Sequence, residues 1–103
     1  MTPFRFRALA RRDVEKAGAY YLREAGSAVA PAFFAALNKT VALLRQEPNA
    51  GSTRWSQDAS QTALRSWPIN GFPYLVFYKH GQNGIDIIRV LHTSRDIPAT
   101  LQD

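Results

Sequence analysis

A chain of 103 residues, 46% of them apolar, is long enough for one domain with one core and too short for two. It has no cysteine, which excludes disulfides and thiolate metal sites and suits a reducing compartment. The formal charge is +5 and ten of the thirteen basic residues are arginine, whose guanidinium fork suits carboxylate and phosphate alike. Nucleic acid or an acidic protein is therefore the expected partner, against the plainer reading of a domain that is merely basic. No run approaches the roughly 20 apolar residues of a membrane span. The opening residues Met1 to Arg7 lack the apolar centre of a secretion signal, so a cytoplasmic protein is expected. A domain this small buries only roughly two thirds of its unfolded surface, which makes stabilisation by a partner plausible.

Phe4-Arg5-Phe6-Arg7-Ala8 alternates with period two and predicts a short strand with the phenylalanines inward. A helix follows from near Ala10, because Ala10, Val14, Ala17, Tyr21 and Ala25 form one stripe at helical spacing. Arg12, Glu15, Lys16, Arg23 and Glu24 lie off that stripe, and Gly26 is a natural stop. Ser27 then offers an N-cap to a second helix, with Pro31 in its first turn. Phe33 or Phe34, Leu37, Val41 and Leu44 continue at helical spacing until Glu47-Pro48 ends the element. The short link makes the two helices an antiparallel hairpin.

Gly51 to Thr62 is polar and aperiodic, a surface loop carrying Arg54 and Trp55. Three strands are predicted next: Ala63 to Trp67, Tyr74 to Tyr78 and Ile85 to Leu91. They are joined by hairpins at Asn70-Gly71-Phe72-Pro73 and His80 to Gly84. The tail after His92 has room for a turn or a short helix. The order β-α-α-β-β-β predicts a two-layer α+β domain, in which an N-terminal helical hairpin covers one face of an antiparallel sheet. The other face is left partly covered, and residues projecting from it are candidates for function.

Three stretches carry a family resemblance: Ala10-x-x-Asp13-Val14 with Tyr20-Tyr21, Leu64-Arg65 opening a strand with Tyr74 to Tyr78 behind it, and above all Ile88-Arg89-Val90-Leu91-His92-Thr93-Ser94-Arg95-Asp96. Together they resemble the RelE/ParE superfamily of toxins from bacterial type II toxin–antitoxin systems, over nearly the whole chain. The resemblance implies an antitoxin whose acidic C-terminal segment wraps the toxin in a hetero-oligomer. It also implies one of two targets. RelE-like members cut messenger RNA on the ribosome, and ParE-like members poison DNA gyrase.

RNA scission through the 2′-hydroxyl needs a proton acceptor, a proton donor and cations for the phosphorane. Arg65 and Arg95 match two arginines of the RelE-like cluster, and His92 could serve as acid or base. The segment from Ile97 to Asp103 has no tyrosine, histidine or lysine, however, and Lys79 is the only lysine after Lys39. The ParE-like branch fits better, with no catalytic residue assigned; a nuclease would use Arg65, His92 and Arg95. Arg65, Arg89, His92, Arg95 and Trp55 are the candidates for target binding. Arg5, Arg7, Arg11, Arg12, Tyr20 and Phe34 are the candidates for antitoxin binding. The plainer readings are that Arg65 and Arg89 pair inside the fold, for example with Asp86 or Asp96, that Arg95-Asp96 braces the C-terminal turn, and that His92 is bonded to the loop or tail. Trp67, Tyr20, Tyr21, Phe33 and Phe34 read mostly as core. His80 reads as solvated. Two separated histidines make a poor metal site, and no cofactor is expected.

Overall fold

The computed structural model describes residues 2–57 and 63–102. Its elements are β1 (Phe4–Phe6), α1 (Ala8–Ala25), α2 (Val29–Gln46), β2 (Arg65–Pro68), β3 (Tyr74–Gly81), β4 (Gly84–His92) and α3 (Ile97–Leu101). The order is the one read from the sequence. Of the loop expected over Gly51 to Thr62, Asp58 to Thr62 lie outside the described residues.

α1 follows β1 almost directly and stops at Gly26, whose φ of 94° only glycine adopts readily. Ser27 does not cap α2. The helix starts at Val29 behind Ala28, which is already in the right-handed helical conformation, with no side-chain cap. The backbone closes the link instead, with Val29 N–H donating to the Gly26 carbonyl at 3.3 Å. α2 ends where the sequence said it would, with Glu47 N–H donating to the Leu43 carbonyl just before Pro48.

The four strands lie in the order β1-β4-β3-β2. β2, β3 and β4 are antiparallel, but β1 runs parallel to β4, so the sheet is mixed rather than wholly antiparallel. The helical hairpin between β1 and the rest is a crossover long enough to permit this. One irregularity matters for the site. Phe77 opposes Arg89 while Tyr78 opposes Ile87, which leaves Ile88 as an extra residue in β4. The extra residue shifts the alternation by one, so Ile85, Ile87 and then Val90 all enter the same core.

That core lies between helices and sheet, built from Phe33, Leu37, Val41 and Leu44 on α2 against Val76, Tyr78, Ile87 and Val90. Tyr21, Phe33, Phe72 and Tyr74 close one end as an aromatic cluster with ring centroids 5.3 to 6.2 Å apart. A second, smaller core covers the other side of the sheet. Phe77, Leu91 and Ile97 are buried there beneath Trp55, Leu64, Leu75 and Leu101. α3 is thus a lid on the face that the sequence left partly covered, with Asp96 capping it through the Ala99 amide.

Candidate functional site

Arg89 sits in an apolar strand, and its partner is neither Asp86 nor Asp96. It makes a two-pronged ion pair with Asp13 of α1, Nε to Oδ2 at 2.7 Å and Nη2 to Oδ1 at 3.0 Å. Both side chains are nearly buried, at 12% and 9% exposure. Asp13 Oδ2 also accepts the Val90 amide at 2.9 Å. The register explains this. β1 pairs with β4 only from Ile85 to Ile87, so β1 gives no partner to the Val90 amide, and the carboxylate takes that place. Asp13 lies three residues from Ala10 and four from Ala17, so an acid stands at the spacing of the apolar stripe. That was the signal for a buried partner.

Arg65 is likewise committed to the fold. Its Nη1 donates to the carbonyls of Asn49 (3.0 Å) and Gly51 (2.9 Å), tying the segment after α2 to the start of β2. Buried Tyr78 completes the clasp, its hydroxyl donating to the Pro48 carbonyl at 2.8 Å and accepting the Gly51 amide at 2.9 Å. Burial raises the Tyr78 phenol above its ordinary value, opposed by the Gly51 amide and the Arg65 charge.

The basic arm divides. Arg5 and Arg7 both reach Asp86 on β4. The Arg5 hydrogen bond, opposed by burial and joined by the charges of Arg5 and Arg7, holds the Asp86 carboxyl below its ordinary 3.8. Arg11 and Arg12 are exposed, with no ion pair among the described residues. Phe4, Arg5, Phe6, Arg11, Val14, Glu15, Phe34 and Leu37 line a cleft of about 510 Å³ between β1 and the helices. Phe34 is 40% exposed there, so Phe33 and not Phe34 is the core residue of that pair. The cleft brings together Arg5, Arg11 and Phe34 of the antitoxin candidates. Tyr20 lies elsewhere.

Tyr20 is half exposed and lines a second cleft, of about 350 Å³, with Asp13, Lys16, Tyr74, His92, Ser94 and Arg95. His92 stands edge-on to Tyr74, with centroids 5.1 Å apart, and its Nδ1 accepts the Ser94 amide at 3.0 Å. Bonding of His92 to the loop is thus what the structure has, and it leaves Nε2 to carry the proton of the neutral ring. Arg95 is exposed, with no ion pair among the described residues. Lys16 and Tyr74 were not singled out as site residues. Lys16 and Tyr20 are four apart on one helix, a spacing that puts them on one face.

Trp55 is half buried on the second core, with the Arg54 guanidinium 4.7 Å above its ring. Together with Leu64, Lys79, Ile88 and Leu101 it lines a third cleft, of about 630 Å³, on the α3 side of the sheet. It therefore shares no wall with the His92 cleft and is packed rather than projecting. Trp67 packs against the main core. Among the described residues no three His, Cys, Asp or Glu side chains group to hold a metal, and no helix is long and apolar enough to cross a membrane.

The fold is similar to that of a solved chain from the chromosomal ParDE toxin–antitoxin system of P. aeruginosa. The TM-score is 0.73 at 20% identity, over 89% of this chain and 96% of that one. The layered arrangement is thus one known from a ParDE toxin–antitoxin system. No curated protein sequence matches the chain. Residues 4–97 match the family described as the ParE toxin of type II toxin-antitoxin system, parDE, and the chain belongs to that family.

Proposed function

We propose that this toxin inhibits DNA gyrase, and with it replication, and that a ParD-like antitoxin neutralises it with an acidic C-terminal segment. The family match over residues 4–97 carries the reading. The side-chain arrangement supports a binding protein over a nuclease. Of the two arginines that a nuclease would use, Arg65 is held by internal carbonyls, and Arg89, a further arginine of the sheet, is held by Asp13. α3 offers no tyrosine, histidine or lysine. In this reading His92 and Arg95 meet the target directly, while Arg65 and Arg89 act by keeping the sheet in shape. Arg5, Arg11 and Phe34 receive the antitoxin along the cleft beside β1, where exposed apolar surface and positive charge lie together.

Supercoiling of relaxed plasmid by gyrase tests this. Purified toxin should suppress supercoiling, and its antitoxin should restore it. Normal supercoiling at a large toxin excess would contradict the proposal.

One observation favours a ribosome-dependent endoribonuclease instead. Lys16, Tyr20, His92 and Arg95 share a cleft, and together they include groups able to move a proton. Primer extension on translated message separates the two. New 5′ ends that disappear with His92→Gln would favour the nuclease.

A further inference from the structure

We infer that the cleft between α1 and the end of β4 is a phosphate-binding site. It goes beyond the gyrase reading and does not depend on it. Its walls supply donors in excess. Lys16 comes from α1, His92 from the last residue of β4, and Ser94 and Arg95 from the turn that follows, with the Tyr20 hydroxyl on the same rim. Lys16 and Arg95 have no ion pair among the described residues. Among the described residues the one carboxylate lining the cleft, Asp13, is already held by Arg89 and the Val90 amide, so it does not cancel them. Arg95 lines the cleft together with Tyr74. Ser94 N–H holds His92 by Nδ1, so the neutral ring still presents a donor at Nε2.

The number of donors favours phosphate over carboxylate. A carboxylate offers two oxygens and one charge. A phosphate monoester offers three oxygens and close to two charges, which matches two cations with imidazole and hydroxyl donors. The volume of about 350 Å³ exceeds what a bare phosphate needs. Tyr20, half exposed beside Lys16, adds a flat face on which a nucleobase could stack. The ligand class is therefore a phosphate group, whether inorganic, on a mononucleotide or in a single strand.

The test is an NMR titration of the full-length toxin with inorganic phosphate, adenosine monophosphate, a short oligothymidylate and, as the carboxylate control, a glutamate-rich peptide. Saturable shifts should centre on Lys16, His92, Ser94 and Arg95. Arg95→Gln and Lys16→Gln should each weaken binding about tenfold, and Lys39→Gln on α2 should leave it unchanged. Each variant's thermal unfolding is checked against wild type, and all three side chains are exposed. Tighter binding of the nucleotide than of phosphate, lost in Tyr20→Ala, assigns a nucleotide; equal binding assigns the phosphate alone. Absence of saturation, an equal loss with Lys39→Gln, or tighter binding of the glutamate-rich peptide at the same residues overturns the inference.

Discussion

Asp13 settles two needs with one carboxylate: it neutralises Arg89 and takes the strand amide that β1 is too short to pair. Removing one member of a buried ion pair is far worse than replacing the pair, because the survivor keeps its desolvation penalty. Asp13→Ala should therefore cost about 3–5 kcal/mol in denaturant unfolding. A loss below about 1 kcal/mol, the range of exposed pairs, would show that the pair is not buried in solution. Asp86 behaves differently, because its partners are exposed. Its folded carboxyl lies below its ordinary 3.8, so its contribution is fully present above that value and is lost as pH falls through the folded value. Asp86→Asn should flatten the fall in stability below about pH 4 and leave the neutral-pH plateau lowered slightly. An unchanged acid limb would place the acid sensitivity on other carboxylates.

At the scale of elements, the hairpin between β3 and β4 carries a sharp constraint. Among the described residues no non-glycine has positive φ, so Gln82 and Asn83 do not make the turn that usually joins antiparallel strands. Gly84 supplies the twist at φ 112°, and a side chain there would collide with the Pro3 carbonyl. That carbonyl accepts the Ile85 amide and docks the start of β1. Gly84→Ala should cost about 1–3 kcal/mol, seen as a lower Tm, since neither the backbone strain nor the backbone clash can relax cheaply. Gly81→Ala, with nothing within 4 Å, is the matched control and should cost less. Equal losses in the two would remove the role given to Gly84.

Helices and central strands were legible because their patterns are local: the stripe from Ala10 to Ala25, the stop at Gly26, the proline after α2 and the apolar runs of β3 and β4. The parallel setting of β1 was not, since three residues of alternation fit either direction. The failed cap at Ser27 reflects a link closed by backbone alone. The partner of Arg89 was hidden because it lies 76 residues away on a helix, whereas the acids near it in sequence, Asp86 and Asp96, are used by β1 and α3. Of the site, the arginines were visible as types, but which were spent internally depends on register and on a bulge at Ile88.

For the whole molecule, the surface separates into two unlike regions. One is the cleft beside β1, with Phe4, Phe34 and Arg11. The other is the cationic end of the sheet around His92 and Arg95. An antitoxin laid along the first should bind less tightly as salt rises, and Arg11→Glu should weaken it without altering the fold. Affinity indifferent to both would move the antitoxin elsewhere. Inhibition and neutralisation then become separable: Arg11→Glu should leave a toxin that still inhibits but escapes its antitoxin.

The most direct measurement gives one toxin preparation both targets side by side, plasmid with gyrase and message on translating ribosomes. The account predicts that gyrase-cleaved plasmid accumulates with rising toxin while the message keeps its original 5′ ends. Intact plasmid together with newly cut message would contradict it.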